Sequence, residues 1–221
     1  MSINFKKKHA TILTSLLMFA VLSLSGCATE PSPSTTLINA TEITLEGIVL
    51  SNGSVFVTKS TLALQLNHEL MSLTLPDNQE VVIGSLTEFV IHPEISESYP
   101  MQARVISTRL LDEKTPVIEA PIYTGPKVIN HMPKDSHFID VRTPAEFAEG
   151  HIQGAINLPL DDLEGLIATQ APNLTDTIMV YCRSGNRSAT AAKLLKQLNY
   201  SIVFDLGGIN AYQGEFVTES P

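Results

Sequence analysis

The sequence predicts two folded regions of different class: a small all-β domain, barrel or sandwich, followed by an α/β domain with a mainly parallel sheet. Three observations predict this. Residues 38–111 read as short β-type runs separated by turn residues, residues 112–126 carry Pro116, Pro121 and Pro126, and from Val128 onward short apolar strands alternate with helical patterns. With 221 residues, 43% of them hydrophobic, the chain can bury two such cores and is too apolar to be wholly disordered.

Ahead of both domains, residues 1–26 follow the pattern of an export signal. Lys6, Lys7 and Lys8 form a basic start, and Thr11 to Leu24 form an apolar run shorter than the roughly 20 residues of a spanning helix. The following Leu24-Ser25-Gly26-Cys27 resembles the bacterial lipobox, whose Cys is lipidated and becomes the first residue of the mature chain. That resemblance implies a lipid anchor on Cys27 and a periplasm-facing place in the bacterial cell envelope. Ala28, rather than Asp, after the Cys favours the outer membrane. Residues 27–37, small and polar with two prolines, read as a flexible tether. A lipidated Cys27 cannot form a disulfide. Cys182, the second of two cysteines, is then a lone thiol in an oxidising compartment, where a structural cysteine is usually paired.

In the β-rich region, Thr44–Leu50 and Val55–Val57 flank Asn52-Gly53, a strong hairpin signal. Further strands are expected at 62–66, 71–75, 81–86, 89–91 and 103–111. This spacing suits a small barrel, OB-like in one reading, or a sandwich. Lys59, Arg104 and Arg109 stand there against eight acidic residues, and the whole chain has a net charge of −9. Such a surface repels nucleic acid, so the single-strand binding common to OB barrels is excluded on charge. No residue of this region names its partner. Residues 112–126 are expected to be a linker.

The third region, 127–221, opens with a strand at 138–141, after which Pro144 starts a helix to Ala148. A strand at 155–158 and a helix at 160–168 follow. Thr177–Tyr181 is an unbroken apolar strand of the buried type, and it leads straight into Cys182. Ala191, Leu194, Leu195 and Leu198 then mark one face of a helix over 186–199, and a last strand covers 202–204. Alternation of this kind builds a parallel sheet with helices on both faces, whose ligands bind beyond the carboxyl ends of the strands. Cys182 is at such an end.

The loop Cys182-Arg183-Ser184-Gly185-Asn186-Arg187-Ser188 carries the chemistry. Curled ahead of a helix, its N–H groups converge into an anion-binding nest, and Arg183 and Arg187 add positive charge. Both effects favour the thiolate, which is the nucleophile.

Four stretches in order resemble the rhodanese family of sulfurtransferases: Phe138–Phe147, Gly150–Pro159, Cys182–Ser188 and Leu206–Tyr212. The resemblance spans residues 127–215 and implies a rhodanese-like α/β fold. It implies that Cys182 accepts a sulfane sulfur from an anionic donor such as thiosulfate, holds it as a persulfide and passes it to a thiol or cyanide-like acceptor. The amides of Arg183, Ser184, Gly185, Asn186 and Arg187 would cradle the sulfur, and the side chain of Arg187, with that of Arg183, would orient the donor. Asp140, Arg142 and Glu146 are expected to brace the loop from within, and His151 to brace a turn. No cofactor is called for. His68, His92, His131 and His137 show no ligand spacing, so no metal site is expected.

Two other readings compete. A cysteine-dependent phosphatase or arsenate reductase places five residues between Cys and Arg, whereas four separate Cys182 from Arg187, a cradle sized for sulfur rather than phosphate. A redox-sensing or scaffolding module of the envelope would keep the fold without turnover.

Overall fold

The structure, a computed structural model, describes residues 42–62 and 66–218. Cys27, the export signal and the tether lie outside the described residues. Strands β1 (Ile43–Ser51), β2 (Ser54–Ser60), β3 (Leu70–Thr74), β4 (Leu86–Ile91) and β5 (Met101–Asp112) close into a barrel of order β1-β2-β3-β5-β4. Closure follows because β1 pairs antiparallel with both β2 and β4. The β3–β5 pair is parallel. A barrel, not a sandwich, is therefore the architecture of this half. Closing it leaves no unpaired edge.

Alternation decides what each face of these strands does. Ile43, Leu45, Val49, Val55, Val57, Met71 and Phe89 fill the barrel interior. Their neighbours Ile48, Leu50, Phe56 and Leu70 point the other way and are equally buried, against the second half of the chain. Phe56 meets Phe204 edge-on, with ring centroids 4.8 Å apart.

That second half holds β6 (Ile118–Glu119), α1 (Thr124–Val128), β7 (Ser136–Asp140), α2 (Pro144–Glu149), β8 (His151–Ile152), β9 (Ile156–Asn157), α3 (Leu163–Gln170), β10 (Thr177–Cys182), α4 (Asn186–Gln197), β11 (Ile202–Gly208) and β12 (Phe216–Val217). The main sheet has order β6-β11-β10-β7-β9, with every pairing parallel. β10, at its centre, is buried along its whole length. Ile178, Val180 and Cys182 face the cluster made with α3 and α4, while Met179 and Tyr181 face the opposite cluster. A parallel sheet needs both faces covered. Here helices cover one face, and the other is covered by Val128 of α1 together with the outer side chains of the barrel. The expected second helical layer is replaced by β1, β2 and β3.

Residues 112–126, read as a linker, contribute more than a connection. β6 adds an edge strand to the sheet, and α1 packs so closely that a Cβ on Gly125 would stand 2.8 Å from Leu206 and Phe138. Thr115 Oγ1 also donates to the carbonyls of Gly84 and Ser201, one in each half. All described residues belong to one compact unit. Two expected strands are displaced: residues 81–85 are loop, with Val82 and Ile83 exposed, and residues 61–62 and 66–68 are turn. Among the described residues no helix is long and apolar enough to cross a membrane.

Candidate active site

Cys182 ends β10, and the chain turns immediately into α4. Gly185, the N-cap, has φ +102°, a left-handed conformation that glycine adopts without strain. This turn aims main-chain N–H groups at the sulfur. Gly185 N donates to Cys182 Sγ at 3.1 Å, and the amides of Ser188 and Ser184 also point at it. Burial opposes ionisation of the thiol, which is only 1% exposed. The amides of Ser188, Gly185 and Ser184 outweigh that burial and hold the thiol below its ordinary value. The Ser188 hydroxyl has a single proton and donates to the carbonyls of Gly185 and Gly207, at 2.9 and 3.2 Å, so the main chain does most of this work.

Two positively charged side chains were expected beside the sulfur, and the structure treats them differently. Arg187 is held by Glu146, with Nη1 donating to Oε2 at 2.7 Å and Nη2 to Oε1 at 2.8 Å. The guanidinium brings the Glu146 carboxyl down to about 2, assisted by Thr143 and opposed by burial. The expectation that Arg187 orients a donor thus meets a guanidinium whose fork is already filled from α2. Arg183 is exposed and lines a cavity of about 360 Å³ with Arg142, Glu146, Glu149, Tyr212 and Phe216. Asn186 is exposed at the first turn of α4, and Ser184 is exposed on the loop.

Beneath the loop, Asp140 and Arg142 form a buried ion pair. Arg142 Nε and Nη2 donate to Asp140 Oδ2 at 2.8 and 2.6 Å, and its own N–H donates to Oδ1. Burial works against the Arg142 charge, and Asp140 more than restores it. Arg142 Nη2 also donates to the Gly150 carbonyl at 2.7 Å, tying the end of α2 to β7. Glu146 thus reaches the loop through Arg187, while Asp140 and Arg142 fix the end of β7 against the end of α2. His151 stacks on Phe147 with centroids 3.6 Å apart, its Nδ1 3.0 Å from the Phe147 carbonyl, which fits a brace rather than a base.

Several positions take part without having drawn attention in the sequence. A Cβ on Gly208 would stand 2.8 Å from Arg183 O and from Ser184 Cα and C, so only glycine lets β11 support the loop at this distance. Asn157 Nδ2 donates to the carbonyls of Asp140 and Arg142, both at 2.9 Å. Thr143 joins Glu146, already singled out, in a capping box at α2, and their Thr-x-x-Glu spacing across Pro144 was a legible signal. Gly208 and Asn157 had none, because their partners are distant in sequence. Among the described residues no cluster of His, Cys, Asp and Glu could hold a metal ion.

An α/β domain with a thiol at the end of its central strand, its ionisation favoured by a loop of amides, defines a class of sulfur-handling proteins. Comparison gives the family: a Rhodanese-like domain profile matches residues 126–215. Thiosulfate sulfurtransferase PspE of Escherichia coli (strain K12) is 42% identical over 73 residues, 33% of this chain and 70% of that protein. A sulfurtransferase of Allochromatium vinosum is 41% identical over 80 residues, 36% of this chain and 73% of that one. Among solved structures, a rhodanese with anions from E. coli is 38% identical, with a TM-score of 0.36, covering 38% of this chain and 98% of that one. The chain belongs to the rhodanese family.

Proposed function

We propose that this protein is a sulfurtransferase that moves a sulfane sulfur through a persulfide on Cys182. In the first half-reaction the Cys182 thiolate attacks the outer sulfur of a donor such as thiosulfate. A new S–S bond forms, the donor's S–S bond breaks, and sulfite leaves with the bonding pair. An acceptor thiolate or cyanide then attacks the outer sulfur, and Cys182 departs as thiolate. The observation that carries this reading is the set of amides on Cys182 Sγ, with Gly185 N at 3.1 Å. The same amides can stabilise the anionic persulfide, because the charge moves outward by one sulfur into the curl of the loop. The sulfurtransferases among the relatives support the reaction class.

The rest of the proposal concerns placement. The lipobox reading puts a lipid on Cys27 and the folded part on the periplasmic side of the bacterial outer membrane. The N-terminal half is read as an OB-like domain, a reading supported by its five strands in a closed barrel. One observation favours the non-turnover, scaffolding alternative: Cys182 is 1% exposed.

Incubation of the purified protein with thiosulfate, followed by intact-mass measurement, tests the proposal. The expected result is the mass of one added sulfur atom at near-stoichiometric yield, none in Cys182→Ser, and its loss on adding cyanide. A parent protein that takes up no sulfur overturns it.

A further inference from the structure

Ser188 is wholly buried in the first turn of α4, and more acceptors surround its hydroxyl than it has protons. Its Oγ lies 2.9 Å from the Gly185 carbonyl and 3.2 Å from that of Gly207. Cys182 Sγ is the third acceptor within its reach: burial opposes the thiolate, the amides of Ser188, Gly185 and Ser184 favour it, and the Ser188 hydroxyl adds to them. One O–H serves one of these acceptors at a time. The Gly185 carbonyl does not depend on it, because the Ala189 N–H also donates there at 3.0 Å.

The donors on the sulfur therefore differ in kind. Three are main-chain amides fixed by the left-handed turn at Gly185 and by α4, and they cannot follow a change of charge. The hydroxyl can, since a turn about Cβ–Oγ carries its proton between Sγ and the two carbonyls. A buried hydroxyl without a partner is costly, and this one has a partner whichever way the sulfur is charged. Charged sulfur is the better acceptor, because hydrogen bonds to ionised groups are the stronger ones. A neutral, covalently loaded sulfur leaves the proton to Gly185 and Gly207.

We propose that Ser188 is a catalytic residue of sulfur discharge: its hydroxyl turns from the Gly185 and Gly207 carbonyls onto Cys182 Sγ as that sulfur departs with the bonding pair. This rests on Cys182 acting as sulfur carrier. With cyanide as the probe, a C–S bond forms from the carbon lone pair of cyanide. The S–S bond of the anionic persulfide breaks, its pair stays on Sγ, and thiocyanate leaves with the outer sulfur and one negative charge. The hydroxyl keeps its proton throughout and only changes acceptor. Loading reverses the turn, because charge then leaves Sγ. Ser188 thus favours discharge over loading, which separates its effect from that of a brace, since a brace would aid both.

Ser188→Ala tests it. The thiolate is titrated by its ultraviolet absorbance, with Cys182→Ser as the blank. Sulfur loading from thiosulfate and discharge by cyanide are then followed as single half-reactions, at a pH where parent and variant are both fully ionised. The Cys182 midpoint is expected to rise by about one pH unit, the effect of one hydrogen bond to a charged group. A sulfur more basic by that amount attacks about threefold faster and leaves more slowly by a similar factor, so the ratio of discharge to loading falls about tenfold. Ser188→Thr keeps the hydroxyl and recovers the ratio, and Ser188→Gly is read in place of the alanine variant should that one not fold. An unchanged ratio overturns the inference alone, whether both half-reactions keep the parent rate or fall together. A parent that loads no sulfur overturns the carrier reading and this inference with it.

Discussion

Replacing Glu146 with Gln removes one negative charge while keeping the shape of the side chain and an oxygen able to accept from Thr143, since glutamine also serves in a capping box. The change therefore isolates the ion pair with Arg187. The carboxyl falls from its ordinary 4.5 to about 2, which in free energy sets an upper bound of ~3 kcal/mol. The Glu146 and Arg187 side chains are 24% and 32% exposed, so solvent screens part of this, and ~1–2 kcal/mol is expected at neutral pH. The sign follows from the depressed value. The contribution is complete above about pH 4.5 and is lost as the pH falls through about 2, where the folded protein must also take up the proton. Urea midpoints of parent and variant should differ at neutral pH and converge on acidification toward about pH 2. A gap of the same size at both ends of that range would refute the pairing as its source, and no gap at neutral pH would refute the magnitude.

Two further changes probe the loop and the core. Gly208→Ala puts a methyl against the main chain of Arg183 and Ser184, which can yield only by moving the loop, at a cost of ~1–3 kcal/mol. Its Cys182 should then lose part of its amide contacts, so alkylation below neutral pH should slow and sulfur transfer fall about tenfold or more; transfer within about twofold of the parent would show that β11 does not set the loop. Phe56→Ala deletes the barrel's edge-on contact with Phe204 and should cost ~3–5 kcal/mol. Hydrogen exchange should speed up in β10 as well as in β2, and unchanged protection of β10 would show that the two halves open separately.

What the sequence disclosed tracks how local each signal is. β10 and α4 were legible because an unbroken apolar strand and a helical repeat lie on either side of Cys182, and both periods belong to contiguous residues. The loop between them needed only its glycine and its position. Residues 81–83 are apolar and resemble a strand, yet Val82 and Ile83 are exposed in a loop, because β4 begins at Leu86 where pairing with Ile48 of β1 starts. α1 has Gly125 and Pro126 in five residues and no local reason to be helical; it is held by its fit against Phe138 and Leu206. The partnership of Arg187 with Glu146 spans 41 residues and is visible only once α2 and the loop are folded together. The covering of the sheet by the barrel was likewise hidden. Alternation along β1 and β2 marks one inward face, and says nothing about what the other face will meet.

The sulfur is steadied mainly by peptide N–H groups, and this divides the labour within the loop. A backbone amide has no ionisation in the working range and is present whichever amino acid carries it. Sequence drift at Arg183 can therefore rewrite what the cavity admits while leaving the reactivity of Cys182 nearly untouched. Glycine at 185 and at 208 is the condition for that freedom, since these two positions hold the curl that every other substitution depends on. Selectivity and reactivity in this fold are accordingly open to separate adjustment, by evolution or at the bench.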